Sequence, residues 1–328
     1  ARRDALIKTE RKIEAGMISG MAGKIFRSAE KIKLYIESVS AADIAFASAE
    51  MALKLNLSEP SLNAGATTYG LYLDSLAGGA TVQNNGIYYR TAGAAFNGAG
   101  AGAYGIFAGA SSGLRIDHNR ISNPSMVTSG NFIGAAISAS PNTIFKFNDL
   151  HSTGLTLTTF NLLRVTGSAN VVVRNNILVS SMTTSAAVNN RMIVVDPASV
   201  SGFSSDYNTF FSSNSIYQGL WNGSPAAILA TWVTATGGRD ANSSSSNPLW
   251  FNPGAGGEDF HPLSQGGRWN GLIFVVDGVT SPTIDRADTA DAAIDEADPN
   301  GARANQGSYG QTIEASKTVL PCPNTLYV

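Results

Sequence analysis

The chain has 328 residues, 43% hydrophobic and only 14% charged, against the roughly 25% charged usual for soluble domains. Its formal net charge of −2 argues against a nucleic-acid partner, which would call for a basic field. The single cysteine, Cys322, excludes an intrachain disulfide framework and a cysteine zinc site, and no apolar run is long enough for a transmembrane helix.

Residues 1–60 show no β pattern and are expected to be helical. Ile18, Met21, Ile25, Ile32 and Ile36 recur at helical spacing as an amphipathic stripe. Ser40–Asp43 reads as a capping box that starts a second helix. Nine of the 22 Lys and Arg lie in the first 33 residues, and Gly16, Gly20 and Gly23 interrupt the same stretch. Glycine weakens a helix interior by up to about 1 kcal/mol, but small residues one turn apart let two helices approach closely. The segment therefore reads as a capping and assembly element that packs subunits into a homo-oligomer.

Residues 61–212 repeat. "ATVQNNGIYY", "LRIDHNRIS", "IFKFNDLHS", "VVVRNNILVS" and "FSSDYNTFF" align on Asn85, Asn119, Asn148, Asn176 and Asn208, at spacings of 34, 29, 28 and 32 residues. The position two after each Asn is Ile87, Ile121, Leu150, Leu178 or Phe210. Three before stands Val82, Ile116, Phe145, Val173 or Ser205. A second β-like run lies upstream of each Asn: "YGLYL", "YGIFA", "GAAIS", "NLLRV", "RMIVV". Strands this short cannot bury a face alone, so a period near 30 predicts stacked units. The fold expected is all-β, a single-stranded parallel β-helix with one coil per repeat. The aligned asparagines should form a buried amide ladder at one corner, with the left-handed backbone a tight turn demands.

Residues 213–328 lose the repeat and read as an irregular extension that packs on and caps the coils. Trp232, Asp240–Ser243, Pro248, Asp259–His261, Ser281–Asp285, Asp298–Pro299 and Glu314–Thr318 carry its distinctive blocks. Those blocks resemble the secreted right-handed parallel β-helix repeat proteins of the pectate-lyase-like superfamily. The resemblance covers about 61–318. It implies right-handed coiling and an extracellular or cell-surface location, and it implies no particular activity. The N-terminal helical segment is an addition to the family pattern.

Polysaccharide lyases and hydrolases on such a fold need clustered carboxylates and a base along one face. Asp117, Lys146, Arg174 and Asp206 each lie two residues before a ladder Asn and so share one column. They are the catalytic candidates; the competing reading is a salt-bridge ladder. His118, His151 and His261, the only histidines, have no repeated partner, and Trp232, Trp250 and Trp269 read as covers for the coils. Asp285, Asp288, Asp291, Asp295 and Asp298 fall within 14 residues, a density that can hold Ca²⁺, but without the alternating spacing of a calcium loop. No cofactor is expected otherwise. The leading expectation is a non-enzymatic extracellular protein that self-assembles into a filament or surface appendage. The alternative is a carbohydrate-active enzyme or polysaccharide-binding module centred on Lys146 and Arg174.

Overall fold

The computed structural model describes residues 68–76, 79–89, 102–123, 131–154, 159–182, 190–213, 217–254 and 256–320. The helices expected over 1–60, with Gly16, Ile18, Gly20, Met21, Gly23, Ile25, Ile32 and Ile36, lie outside these residues. Among the described residues, no helix is long and apolar enough to cross a membrane.

Three strands recur in the same order five times. The first set is β1 (Thr68–Asp74), β2 (Thr81–Gln83) and β3 (Gly86–Tyr88), and the second is β4 (Gly102–Gly109), β5 (Arg115–Asp117) and β6 (Arg120–Asn123). The third is β7 (Asn131–Ser138), β8 (Ile144–Lys146) and β9 (Asp149–Gly154). The fourth is β10 (Thr159–Thr166), β11 (Val172–Arg174) and β12 (Ile177–Met182). The fifth is β13 (Asn190–Val195), β14 (Ser204–Asp206) and β15 (Thr209–Ser212). Like strands stack in parallel, giving a long-strand sheet, a three-residue-strand sheet and a third sheet. The chain is a parallel β-solenoid. The parallel long-strand sheet runs on past residue 212, because β16 (Tyr217–Trp221) pairs with β13 as a further rung.

Strand alternation explains the sequence pattern. In the short strands the central residue points inward, so Val82, Ile116, Phe145 and Val173 stack in register. The third sheet faces them with Ile121, Leu150, Leu178 and Phe210, all essentially buried. Each such side chain removed from water contributes roughly 1.5–3 kcal/mol. The long strands leave room for these residues at Gly134, where a Cβ would stand 2.6 Å from Leu162 O and 2.9 Å from Leu150 Cδ2.

The three corners differ in how much length they tolerate. Between the second and third strands there are always two residues, from Gln83 to Gly86 through Asp206 to Thr209. The connection back to the long strand varies from 13 residues after β3 to 4 after β9. Length drift between coils falls in this connection, since added loop length costs little.

The last rung is closed by β17 (Ser224–Ala226), antiparallel to β16, and by α1 (Leu229–Ala235), the one α-helix among the described residues. Trp232 of α1 is fully buried and meets Trp221 edge-on at 6.0 Å. The remaining chain forms two small hairpins, β18 (Trp250–Asn252) with β19 (Asp259–Pro262) and β20 (Arg268–Trp269) with β21 (Phe274–Val275). Trp250 and Phe260 pack over Ile177 and Val179 on the outside of the third sheet.

Asn148 sits mid-ladder with bonds on both sides, whereas Asn85 is at its end. Asn148→Ala should cost about 3 kcal/mol, because it leaves the buried Asn119 N–H without its acceptor and takes a donor from Ile116 O, Lys146 O and Asn176 Oδ1. Asn85→Ala should cost roughly 1 kcal/mol. Denaturant unfolding of the two variants checks this; equal, small losses would contradict a cooperative ladder.

Candidate functional site

The two-residue corner is where the sequence-predicted residues converge. Nδ2 of Asn85, Asn119, Asn148 and Asn176 each donates to Oδ1 of the next asparagine at 2.9–3.0 Å. The backbone N–H of the same residues donates to the same oxygens. Asn208 ends the stack by donating to Asp240 Oδ1 at 3.0 Å, 32 residues further on. Asp240 also accepts from Ser243 Oγ and from Trp232 Nε1 at 2.8 Å, which ties the coil to its cap. Burial pushes the Asp240 carboxyl up, against these three donors. The register puts Ser243 where the sixth asparagine would stand, and its hydroxyl accepts from Asn208 N at 2.8 Å.

The left-handed backbone falls one residue earlier than the sequence reading placed it. Positive φ occurs at Asn84, His118, Phe147, Asn175 and Tyr207, and not at the ladder asparagines. The ladder residue must aim its Cβ inward; its predecessor makes the bend and points outward. The pair Asn175–Asn176 thus divides the work.

A second ladder was missed. Ser111, Ser140, Ser168 and Ser199 accept from the backbone N–H of the coil before at 2.9–3.1 Å, at the corner preceding the short strands. The signal was a serine eight or nine residues before Asn119, Asn148, Asn176 and Asn208.

Asp117, Lys146, Arg174 and Asp206 do lie in one register column. They are not paired with one another. Lys146 Nζ meets Asp291 Oδ1 and Arg174 meets Asp288 Oδ2, both at 2.8 Å. Asp117 is bound by Arg115, and Asp206 accepts from both nitrogens of Asn242 at 2.8 Å. For Asp117, burial acts to raise the pKa, but the hydrogen bonds from His118 and Arg115 outweigh it and the net shift is downward.

Two of the five calcium candidates are thereby the partners of the column's cations. Asp285 accepts from Thr318 Oγ1 at 2.8–2.9 Å. Among the described residues, no three His, Cys, Asp or Glu side chains gather as a metal site, Asp295 and Asp298 included.

The extension follows the bend residues one by one. His118 Nε2 contacts Gly310 O at 2.9 Å, and Phe147 packs with Ala287 and Ala304. Asn175 bonds Asp291, Asp288 N and Gly307 N, and Tyr207 O accepts from Gln306. On the third sheet, His151 is buried against Trp250 and Phe260, which lowers its pKa to about 4. His261 is held by Asp259 at 2.6 Å and stacks on Tyr309.

Two buried carboxyls anchor the same extension. Asp149 Oδ2 accepts from Ser308 N and Oγ at 3.0 and 2.6 Å, while Oδ1 has no hydrogen bond. Glu296 Oε1 accepts from Asn305 N and Gln311 N, both at 2.8 Å. Burial pushes each of them up to about 7.

No family model, curated protein or solved structure matches the chain.

The folded protein holds a proton on Asp149 that an unfolded carboxyl, with pKa ~4, would release. This stabilisation is complete below pH ~4 and is lost as pH rises through about 7. Glu296 slopes the same way, and His151 slopes oppositely, so the comparison must be with Asp149→Asn. Between pH 4 and 8 the parent should lose on the order of a few kcal/mol relative to that variant in thermal melts. Parallel pH profiles would contradict it. Lys146→Met leaves the mostly buried Asp291 without its cation and should cost roughly 1–3 kcal/mol locally. Hydrogen exchange should then rise at residues 287–291 while β7 stays protected; unchanged exchange would mean the pair contributes nothing.

Proposed function

We propose that the protein is a non-enzymatic structural subunit that works outside the cell and assembles into a filament or surface appendage. The observation that carries this is the asymmetry of the stack. One end is closed by β17, Trp232 and Asp240. At the other end, among the described residues, β1, β2 and β3 each pair on one side only and no donor reaches Asn85 Oδ1. An unpaired rung with a waiting acceptor is a template for added chain. A contact between unlike ends that does not close generates a filament.

In this reading the N-terminal helices, preceding β1, supply the subunit contacts through their isoleucine stripe and glycines. The coil is right-handed and the chain is related to the secreted β-helix repeat proteins; the C-terminal blocks that resemble that family support both points. The sparsely charged surface suits an extracellular setting. An enzyme centred on Lys146 and Arg174 is supported less, because both cations are already committed to Asp291 and Asp288.

Sedimentation and electron microscopy of the full chain test the proposal. Mass should rise above one chain with concentration, and Ile25→Asp combined with Ile32→Asp should return it to the monomer. A monomer at every concentration sinks the assembly reading.

A further inference from the structure

Asparagine followed by glycine is the dipeptide most open to spontaneous deamidation, because glycine sets no Cβ in the way when its backbone nitrogen turns toward the asparagine side chain. Four such pairs stand among the described residues: Asn85–Gly86, Asn222–Gly223, Asn270–Gly271 and Asn300–Gly301. Their surroundings differ. Asn85 Nδ2 is held by Gln83 O and Asn119 Oδ1 at 3.0 and 2.9 Å. Asn270 Oδ1 accepts from Leu272 N and Ile273 N at 3.0 and 2.9 Å. Asn300 donates to Glu296 O at 3.1 Å and accepts from Ala302 N at 3.0 Å.

Asn222 is held by nothing of the kind. Its side chain is exposed and makes no hydrogen bond to any described residue. With Gly223 it forms the two-residue turn between β16 and β17, at φ 50° and 81°, the pair of left-handed conformations that a tight hairpin needs. A Cβ built on Gly223 would meet nothing within 4 Å, and among the described residues no carbonyl accepts from the Gly223 N–H. The attacking nitrogen and the amide carbon it would attack are therefore neighbours, uncommitted and open to water.

The structure assigns Asn222 as the site of spontaneous deamidation in this protein, and its turn as the place where that chemistry loosens the strand closing the last rung. Gly223 N, having lost its proton to hydroxide, bonds to Asn222 Cγ, and the side-chain nitrogen leaves as ammonia. The five-membered imide then takes up one water, which opens it at either carbonyl to aspartate or isoaspartate. One water enters and one ammonia leaves. Isoaspartate carries the backbone through the side chain and adds a methylene to a turn built for two residues, so the pairing of Trp221 with Ser224 and of Gly219 with Ala226 is lost. Because β17 is the last strand of the long sheet, its release leaves β16 as an open edge. The inference concerns the single chain and does not depend on assembly.

The full chain is aged in solution at neutral and at mildly alkaline pH, and each Asn–Gly peptide is followed by mass spectrometry with fragmentation that separates isoaspartate from aspartate. Asn222 should convert at least about tenfold faster than Asn85, Asn270 or Asn300, since each of those must first give up two hydrogen bonds. Its rate should rise with pH. The same chain unfolded in denaturant should convert the four at comparable rates. Hydrogen exchange at Ser224 and Ala226 should rise in the aged protein, and should not in an equally aged Asn222→Gly variant, whose Gly-Gly turn keeps both left-handed positions. Conversion at Asn222 no faster than at any of the other three overturns the inference. So does the same bias in the unfolded chain, or exchange at Ser224 and Ala226 that does not tell aged parent from aged variant.

Discussion

The architecture depends on one interaction repeated: a buried asparagine amide that donates to the asparagine of the next coil and accepts from the one before. Asn119, Asn148, Asn176 and Asn208 are fully removed from water, where an unmet amide group would cost about 1–3 kcal/mol against the roughly 1 kcal/mol that a met one contributes. That asymmetry fixes register. A coil displaced by one residue would leave donors and acceptors unmatched along the whole stack. It also explains why the corner carrying the ladder is always two residues long while the opposite connection varies threefold. A directional chain of amides needs a terminator that only accepts, and Asp240 fills that place, drawing Trp232 of the cap to its other oxygen.

The same corner governs the outside of the protein. The bend residue ahead of each ladder asparagine is forced outward, and in four consecutive coils it is engaged by the extension, through an imidazole, a phenyl ring, an amide and a backbone carbonyl. Inner ladder and outer docking are therefore consequences of one backbone turn. The charged column beside it is neutralised by Asp288 and Asp291 rather than left open to solvent. The third sheet is covered in the same manner, with Asp149 bonded to Ser308 and an apolar contact through Trp250 and Phe260. Among the described residues, what this covering leaves open is the outer side of the first rung.

Much of the fold was legible because its signal is periodic. Ladder asparagines, inward apolar positions and the register column all follow from spacing alone, since stacked coils turn a sequence period into spatial adjacency. One feature was legible and overlooked: the serines eight or nine residues ahead of Asn119, Asn148, Asn176 and Asn208. The left-handed position was displaced by one residue. Adjacent polar residues at a turn look alike until the inward one is told from the outward one.

Sequence by itself determined that the chain is a stack of like coils, which residues face inward, and which charges share a column, because each is a local property repeated at a fixed interval. Only the tertiary structure decided what those charges meet. Asp288 and Asp291 lie 114 and 145 residues from Arg174 and Lys146, and no period relates the extension to the coils. Contacts between a periodic body and an aperiodic segment are set by how their surfaces fit in three dimensions, and that information is spread over the chain rather than written at any spacing.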